Sequence, residues 1–301
     1  MTAVLIALLP LFGLIALGYG ARRIGRPGPT AWRAVERLTY YVLFPALLFQ
    51  SLATTSLAGG GAVALALGIA TMIVATGSLV AGRAVTADGA TLSSVLQGAI
   101  RPNTYVGVGA ALAVWGAQGV ALAAVGLAIV IPMVNVISVL GLLRYAPKAG
   151  RQPSLFLSLI GNPLMLSAFA GLAANAVGLH LPAWLSATLK LMGQGSLVLG
   201  LLAVGAALNL SALRTHGPAI ATASALKLVI SPAIAAALLL AFGVGGVPFA
   251  VAAVYMGVPT SASAYVLAAE MGGDRDAIAS IISATTVLSA LTLPLIVVLV
   301  R

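Results

Sequence analysis

The chain contains no cysteine, and among its 301 residues only two are histidine and five are acidic. Without cysteine there is no disulfide, no thiolate nucleophile and no cysteine-ligated metal. The histidines, His180 and His216, fall in loops expected on opposite faces, so they cannot share a metal site. Charged residues make up 7% of the sequence, where soluble domains carry about 25%. No basic run or aromatic-rich basic face lies outside the apolar stretches, which argues against nucleic-acid binding. There is no His-Glu-x-x-His, no phosphate-binding loop and no dinucleotide fingerprint. Serine catalysis within a membrane needs a deep base, and only Lys227 near Ser224 or Ser231 offers one. No enzyme and no cofactor are expected.

What the chain has instead is apolar length. Hydrophobic residues make up 61% and the mean hydropathy is +1.14. A helix needs about 20 apolar residues to cross the hydrocarbon core. Ten such stretches are read near 2–22, 34–54, 60–82, 92–114, 118–143, 154–178, 184–208, 217–242, 248–270 and 277–300. The expectation is an all-α polytopic membrane protein of ten transmembrane helices. The first stretch is expected to be retained as a span, because its charge (Arg22, Arg23) follows the apolar run instead of preceding it.

Lysine and arginine occupy alternate loops. Arg22, Arg23, Arg26, Arg33 and Arg37 flank the first, Arg83 lies in the third, and Arg144, Lys148 and Arg151 in the fifth. Arg214 and Arg275 lie in the seventh and ninth, while the even loops have no Lys or Arg. By the positive-inside rule both termini are outside and the odd loops cytoplasmic, with Arg301 against the pattern. The net charge of +10 then reads as topology and contact with anionic membrane lipids, in a bacterial-type inner membrane.

The basic loop at 144–153 separates five stretches from five, so residues 1–148 and 149–301 read as two five-helix repeats. An odd number of crossings per repeat inverts the second relative to the first, a frequent plan in secondary transporters. Pro102 in the fourth stretch and Pro259 in the ninth are separated by nearly the same length of chain as Pro10 in the first and Pro163 in the sixth. Proline removes a helical hydrogen bond, and a broken helix persists in a membrane only against protein or a watery cavity. Arg101-Pro102-Asn103-Thr104-Tyr105 and Pro259-Thr260-Ser261-Ala262-Ser263 both place polar side chains beside the break. Both breaks lie about 15 Å into their spans at 1.5 Å per residue. Paired interruptions of this kind point to a transport site; the plain alternative is two ordinary proline kinks.

At these residues the chain resembles the auxin efflux carrier family, over essentially its whole length. The resemblance is carried by Leu11-Phe12-Gly13 through Gly18-Tyr19 with Arg22-Arg23, and by Tyr40-Tyr41-Val42-Leu43-Phe44-Pro45. It continues in Arg101-x-Asn103-Thr104, Asn135-Val136-Ile137-Ser138-Val139, Asn162-Pro163-Leu164, Pro259-Thr260-Ser261-Ala262 and Gly272-Gly273-Asp274. Where family members often carry Gly-x-Pro, this chain has Val106-Gly107-Val108-Gly109-Ala110. The resemblance implies a fold related to the bile-acid sodium symporters, in which broken helices four and nine cross within a mobile transport domain (helices 3–5 and 8–10). It also implies a scaffold of helices 1, 2, 6 and 7, which doubles as a homodimer surface.

An ionisable group at the bilayer centre costs at least ~2.5–3.5 kcal/mol on insertion scales and is usually functional or paired. Arg101 and Lys227 are deep, and no carboxylate is read at comparable depth; Glu36, Asp88, Glu270, Asp274 and Asp276 fall near span ends. An anionic substrate would supply the missing counter-charge. Arg101 suits a carboxylate by its planar fork, or else snorkels to the surface. Asn103 and Thr104, with Ser261, Ser263 and Thr260 opposite, complete the expected substrate site with Pro102, Tyr105 and Pro259 around them. Tyr105 either lines the cavity or packs. Lys227 contacts substrate, titrates, or stands in for a coupling cation by pinning polar groups. Asn135 is a second coupling candidate or, with Ser138 and Asn162, interhelical glue. The function expected is transport of a small organic anion such as malonate, malate or an indole acid, by elevator-type alternating access. The rival is an ion channel or membrane-embedded ligand sensor on the same fold.

Overall fold

The computed structural model describes residues 2–55, 60–146, 161–214 and 216–300. Lys148, Arg151, the repeat boundary at 148/149, the first part of the sixth stretch and Arg301 lie outside the described residues. Among those described, the chain is helical throughout and has no strand. Its helices are α1 (Thr2–Arg23), α2 (Pro29–Leu38), α3 (Phe44–Thr54), α4 (Gly60–Val85), α5 (Gly89–Ile100) and α6 (Thr104–Tyr145). They continue with α7 (Pro163–Ala176), α8 (Ala183–Ala207), α9 (Gly217–Ala225), α10 (Ser231–Ala241), α11 (Gly246–Met256), α12 (Ser263–Met271) and α13 (Arg275–Val300). Among the described residues, six helical runs are long and apolar enough to cross a membrane: Thr2–Arg23, Gly60–Val85, Thr104–Tyr145, Ala183–Ala207, Gly217–Ala241 and Arg275–Val300.

Local chemistry sets the helix ends. The Asp88 carboxylate accepts from the Thr91 amide and starts α5, and the Asn162 side chain accepts from Leu164 and Met165 at the start of α7, as N-capping requires. Gly272, in the left-handed region at φ 76°, ends α12, a conformation that glycine adopts without steric cost. Two π-helical turns, Thr39–Leu43 and Leu226–Ile230, join α2 to α3 and α9 to α10. Each precedes a proline, Pro45 or Pro232, which has no amide to donate. The wider turn, with Phe44 donating to Thr39 and Ser231 to Leu226, carries the helix past that gap.

The 42-residue run α6 would measure about 63 Å if straight, roughly twice the hydrocarbon thickness. It is not straight. Gly116 takes φ 61°, ψ −145°, a region essentially confined to glycine, and a Cβ on Gly119 would run into the Ala111 carbonyl. The chain therefore folds back at Gly116 into two helices, at the uncharged loop read from the sequence near 115–117.

Packing is close where glycine permits it. A Cβ on Gly18 would enter the Leu202 carbonyl, and one on Gly205 the Ile15 carbonyl, so α1 and α8 pack backbone to backbone. One apolar core gathers Phe44, Leu48, Leu67, Leu122, Leu127 and Tyr255. A second joins Leu8, Leu11 and Ile15 of α1 to Val106, Leu201, Val258 and Leu293. Large apolar side chains remain outside, among them Leu5, Ile6 and Leu9 on α1 and Leu291, Leu295 and Leu299 on α13. Soluble proteins seldom expose continuous apolar faces, whereas lipid accommodates them.

Candidate functional site

Two helices stop in mid-course and cross. α5 ends at Ile100, the chain runs extended through Arg101 and Pro102, and α6 begins at Thr104 under an Asn103 cap that accepts from the Val106 amide at 3.3 Å. α11 ends at Met256, and after Pro259 and Thr260 the chain re-enters helix at Ser263. The extended pieces pair as a single antiparallel bridge between Pro102 and Thr260. The Asn103 amide donates to the Pro259 carbonyl at 2.8 Å, and the Ser261 amide to the Arg101 carbonyl at 3.0 Å. Both prolines fit here because neither residue's nitrogen is asked to donate in that bridge.

Breaking a helix exposes carbonyls at one end and amides at the other. The carbonyl ends are matched by donors. The Thr260 hydroxyl donates to the Gly98 carbonyl at 2.7 Å, and the Lys227 ammonium to the Met256 carbonyl at 3.1 Å. Thr285 of α13 accepts from the Thr260 amide at 3.1 Å. The amide ends behave differently. Thr104 and Ser263 begin the second half-helices and both border one cavity of about 160 Å³. Each such end carries roughly half a positive charge.

Arg101 adds a full charge to the same cavity. It is 7% exposed, and its Nη2 donates to the Ser263 hydroxyl at 3.0 Å. That hydroxyl lies 3.0 Å from the hydroxyl of Ser261. The Arg101 Nε and Nη1 atoms are buried without a hydrogen-bond partner. Buried guanidinium donors are costly to leave unmade, and here they border a space large enough for a small acid.

The site residues read from the sequence fall into two groups. Arg101, Pro102, Asn103, Thr104, Tyr105, Ser261, Ser263 and Asn135 line the cavity. Pro259, Thr260 and Lys227 do not; they build the crossing behind it, with Thr260 and Lys227 fully buried. Residues 151–297 match the membrane transport protein family, that of the auxin efflux carriers. An uncharacterized transporter of Methanothermobacter thermautotrophicus is 28% identical over 292 residues, covering 94% of this chain and 93% of that protein. Both findings support kinship with the auxin efflux carrier family of transporters.

Sequence reasoning missed part of the transporter's cavity wall. Glu36, Tyr40 and Phe44 border it from the 29–54 helical stretch, Asn162 from the start of α7, and Gly200 from α8. Glu36 is read from the sequence as lying near a span end and is not among the expected site residues. The four-residue spacing of 36, 40 and 44 puts the three on one helix face, and that was the available signal. Gly200 gives way to an aromatic ring: a Cβ there would collide with Tyr105. Asn162, read as interhelical glue, caps its own helix and borders the cavity as well.

Proposed function

We propose that this transporter carries a small organic carboxylate by elevator-type alternating access. The observation that supports it most is the convergence of Arg101 with the starts of two half-helices, at Thr104 and Ser263, on one cavity. A carboxylate there would accept from the free Arg101 donors, with Asn103, Thr104, Ser261 and Ser263 around it. Charge-assisted hydrogen bonds of this kind are the strong ones. Lys227 takes the role of a fixed cation that pins the crossing, because it bonds the Met256 carbonyl and does not reach the cavity.

In this reading ten helices cross the membrane as two inverted repeats, 1–148 and 149–301. Helices 1, 2, 6 and 7 stay in place as scaffold and homodimer surface, while 3–5 and 8–10 carry the site across. Side-chain-on-glycine contacts (Leu11 against Gly109, Tyr105 against Gly200) lie between these groups, whereas backbone-on-backbone contacts (Gly18, Gly205) lie within the scaffold. That division favours sliding at the first and rigidity at the second. With the odd loops in the cytoplasm of an inner membrane, export of a monoanion gains about 2.3 kcal/mol per 100 mV of inside-negative potential.

The test is counterflow in proteoliposomes, with labelled mono- and dicarboxylates outside and the same acids unlabelled inside. Saturable uptake accelerated by internal acid is the expected result. Flux that never saturates would make the protein a channel, and binding without flux would make it a sensor.

A further inference from the structure

A second cavity, of about 190 Å³, shares Glu36 and Ala203 with the first. Arg22 from the last turn of α1, and Trp32, Arg33 and Glu36 from α2, form its polar and aromatic wall. Alanines of α8, at 203, 206 and 207, leave it room. Pro29 opens α2 on this wall, and no side chain caps that helix start. Two guanidinium groups and a helix N-terminus therefore face one space, a strongly anion-attracting combination. Glu36 borders both cavities, and no ion pair joins it to either arginine among the described residues.

A carboxylate at the junction of two anion-attracting spaces needs a reason. Self-neutralisation is not one, since Glu36 leaves both arginines unpaired. Its repulsion on a passing ligand grows with the ligand's charge, so a dianion is opposed twice as strongly as a monoanion of the same size. We propose that the second cavity is an anion-collecting antechamber to the Arg101 site and that Glu36, at its inner boundary, selects against acids carrying more than one negative charge. This rests on the carboxylate-transport reading and names the charge class of its substrate.

The test compares labelled propionate and malonate, three-carbon acids of one and two charges, at neutral pH in phosphatidylcholine vesicles. Glu36→Gln should raise the malonate rate relative to propionate by about threefold, the factor one unit charge exerts on another about 7 Å away in water. Arg22→Gln with Arg33→Gln should slow both acids at low salt, and the deficit should shrink as ionic strength rises. An unchanged malonate-to-propionate ratio in Glu36→Gln, or unchanged low-salt rates in the double variant, overturns the proposal. So does an arginine effect seen only when phosphatidylglycerol is added, which would assign the pair to lipid phosphate. A wild type that moves neither acid and is stabilised by neither sinks the carboxylate reading itself, and the antechamber with it. Wild-type transport with indifferent variants sinks the antechamber alone.

Discussion

Replacing Arg101 by glutamine separates a binding role from a structural one, because the two move stability in opposite directions. The guanidinium is 7% exposed and makes one hydrogen bond, to Ser263. Its Nε and Nη1 are left over. In the ligand-free protein the substitution removes a buried, largely unpaired charge, and Ser263 keeps Ser261 as a partner. Stability without ligand should therefore hold or rise. With ligand, two charge-assisted hydrogen bonds at about 1.5 kcal/mol each, the low end of their range, disappear. That is about 3 kcal/mol, or roughly a hundredfold in affinity. An acid present at 100 times its Kd stabilises the wild type by about 2.7 kcal/mol, whereas the variant at the same concentration sits near its own Kd and gains only about 0.4 kcal/mol. Thermal unfolding in detergent, with and without the acid, reads both numbers. A variant that melts well below the wild type yet keeps the full ligand shift would refute the assignment and make Arg101 a structural cation.

Three further outcomes follow from the packing and the charges. Lys227→Met should lower stability by about 1–3 kcal/mol, the cost of leaving the Met256 carbonyl unpaired, while the ligand-induced shift survives; loss of that shift would put Lys227 in contact with substrate after all. Gly205→Ala should destabilise by about 1–3 kcal/mol through overpacking against the Ile15 carbonyl, as read by the melting temperature; an unchanged melt would show that α1 and α8 can part at no cost. Asp88 is held below the usual carboxylate range first by the Thr91 amide and then by the Thr91 hydroxyl. Its contribution to stability is thus present above the ordinary value of about 3.9 and is lost as pH falls through the lower folded value. Asp88→Asn keeps a capping acceptor without a titrating group, so the gap between variant and wild type should close below about pH 4 in melts taken from pH 7 downward.

The crossing was legible in the sequence because its cause is local. Proline cannot complete a helix, and the polar residues after Pro102 and Pro259 announce that the freed groups have partners. Arg101 and Lys227 stood out for the same kind of reason, as charges too deep to be accidental. Their places relative to the cavity were not legible. Arg101 borders the cavity and Lys227 lies behind it, and no spacing within either helix says so. The far wall was harder still. Glu36, Tyr40 and Gly200 face the cavity only because α2, the π-helical turn after it and α8 pack beside the crossing, and that is a tertiary fact. The hairpin at Gly116 was visible as an uncharged loop, but its tightness depends on one positive φ. Asn162 shows a limit of another sort, since a polar residue that caps a helix and borders a cavity gives the same sequence signal for either task.

Four helix ends meet at the crossing, and their treatment is unequal. The two carbonyl ends are matched by Thr260, Lys227 and the Ser261 amide. The two amide ends are joined by a further positive charge, Arg101, and no carboxylate from the crossing answers it among the described residues. Glu36, the acidic residue in the cavity wall, comes from α2 instead. Asn103 and Ser261 already cap those amide ends, so bending two helices needs no arginine there, and an unopposed buried charge is among the costliest things a membrane protein can hold. The imbalance makes sense when the missing partner arrives from outside and leaves again. It would also favour an anion as that partner: a cation entering this cavity would meet Arg101 and two positive helix ends. An acid that binds should therefore tighten its hold as the arginine site is dehydrated, and inorganic cations should compete with it weakly if at all. Competition of labelled acid against sodium or potassium at constant ionic strength checks this directly, and displacement by either cation would overturn the anion assignment.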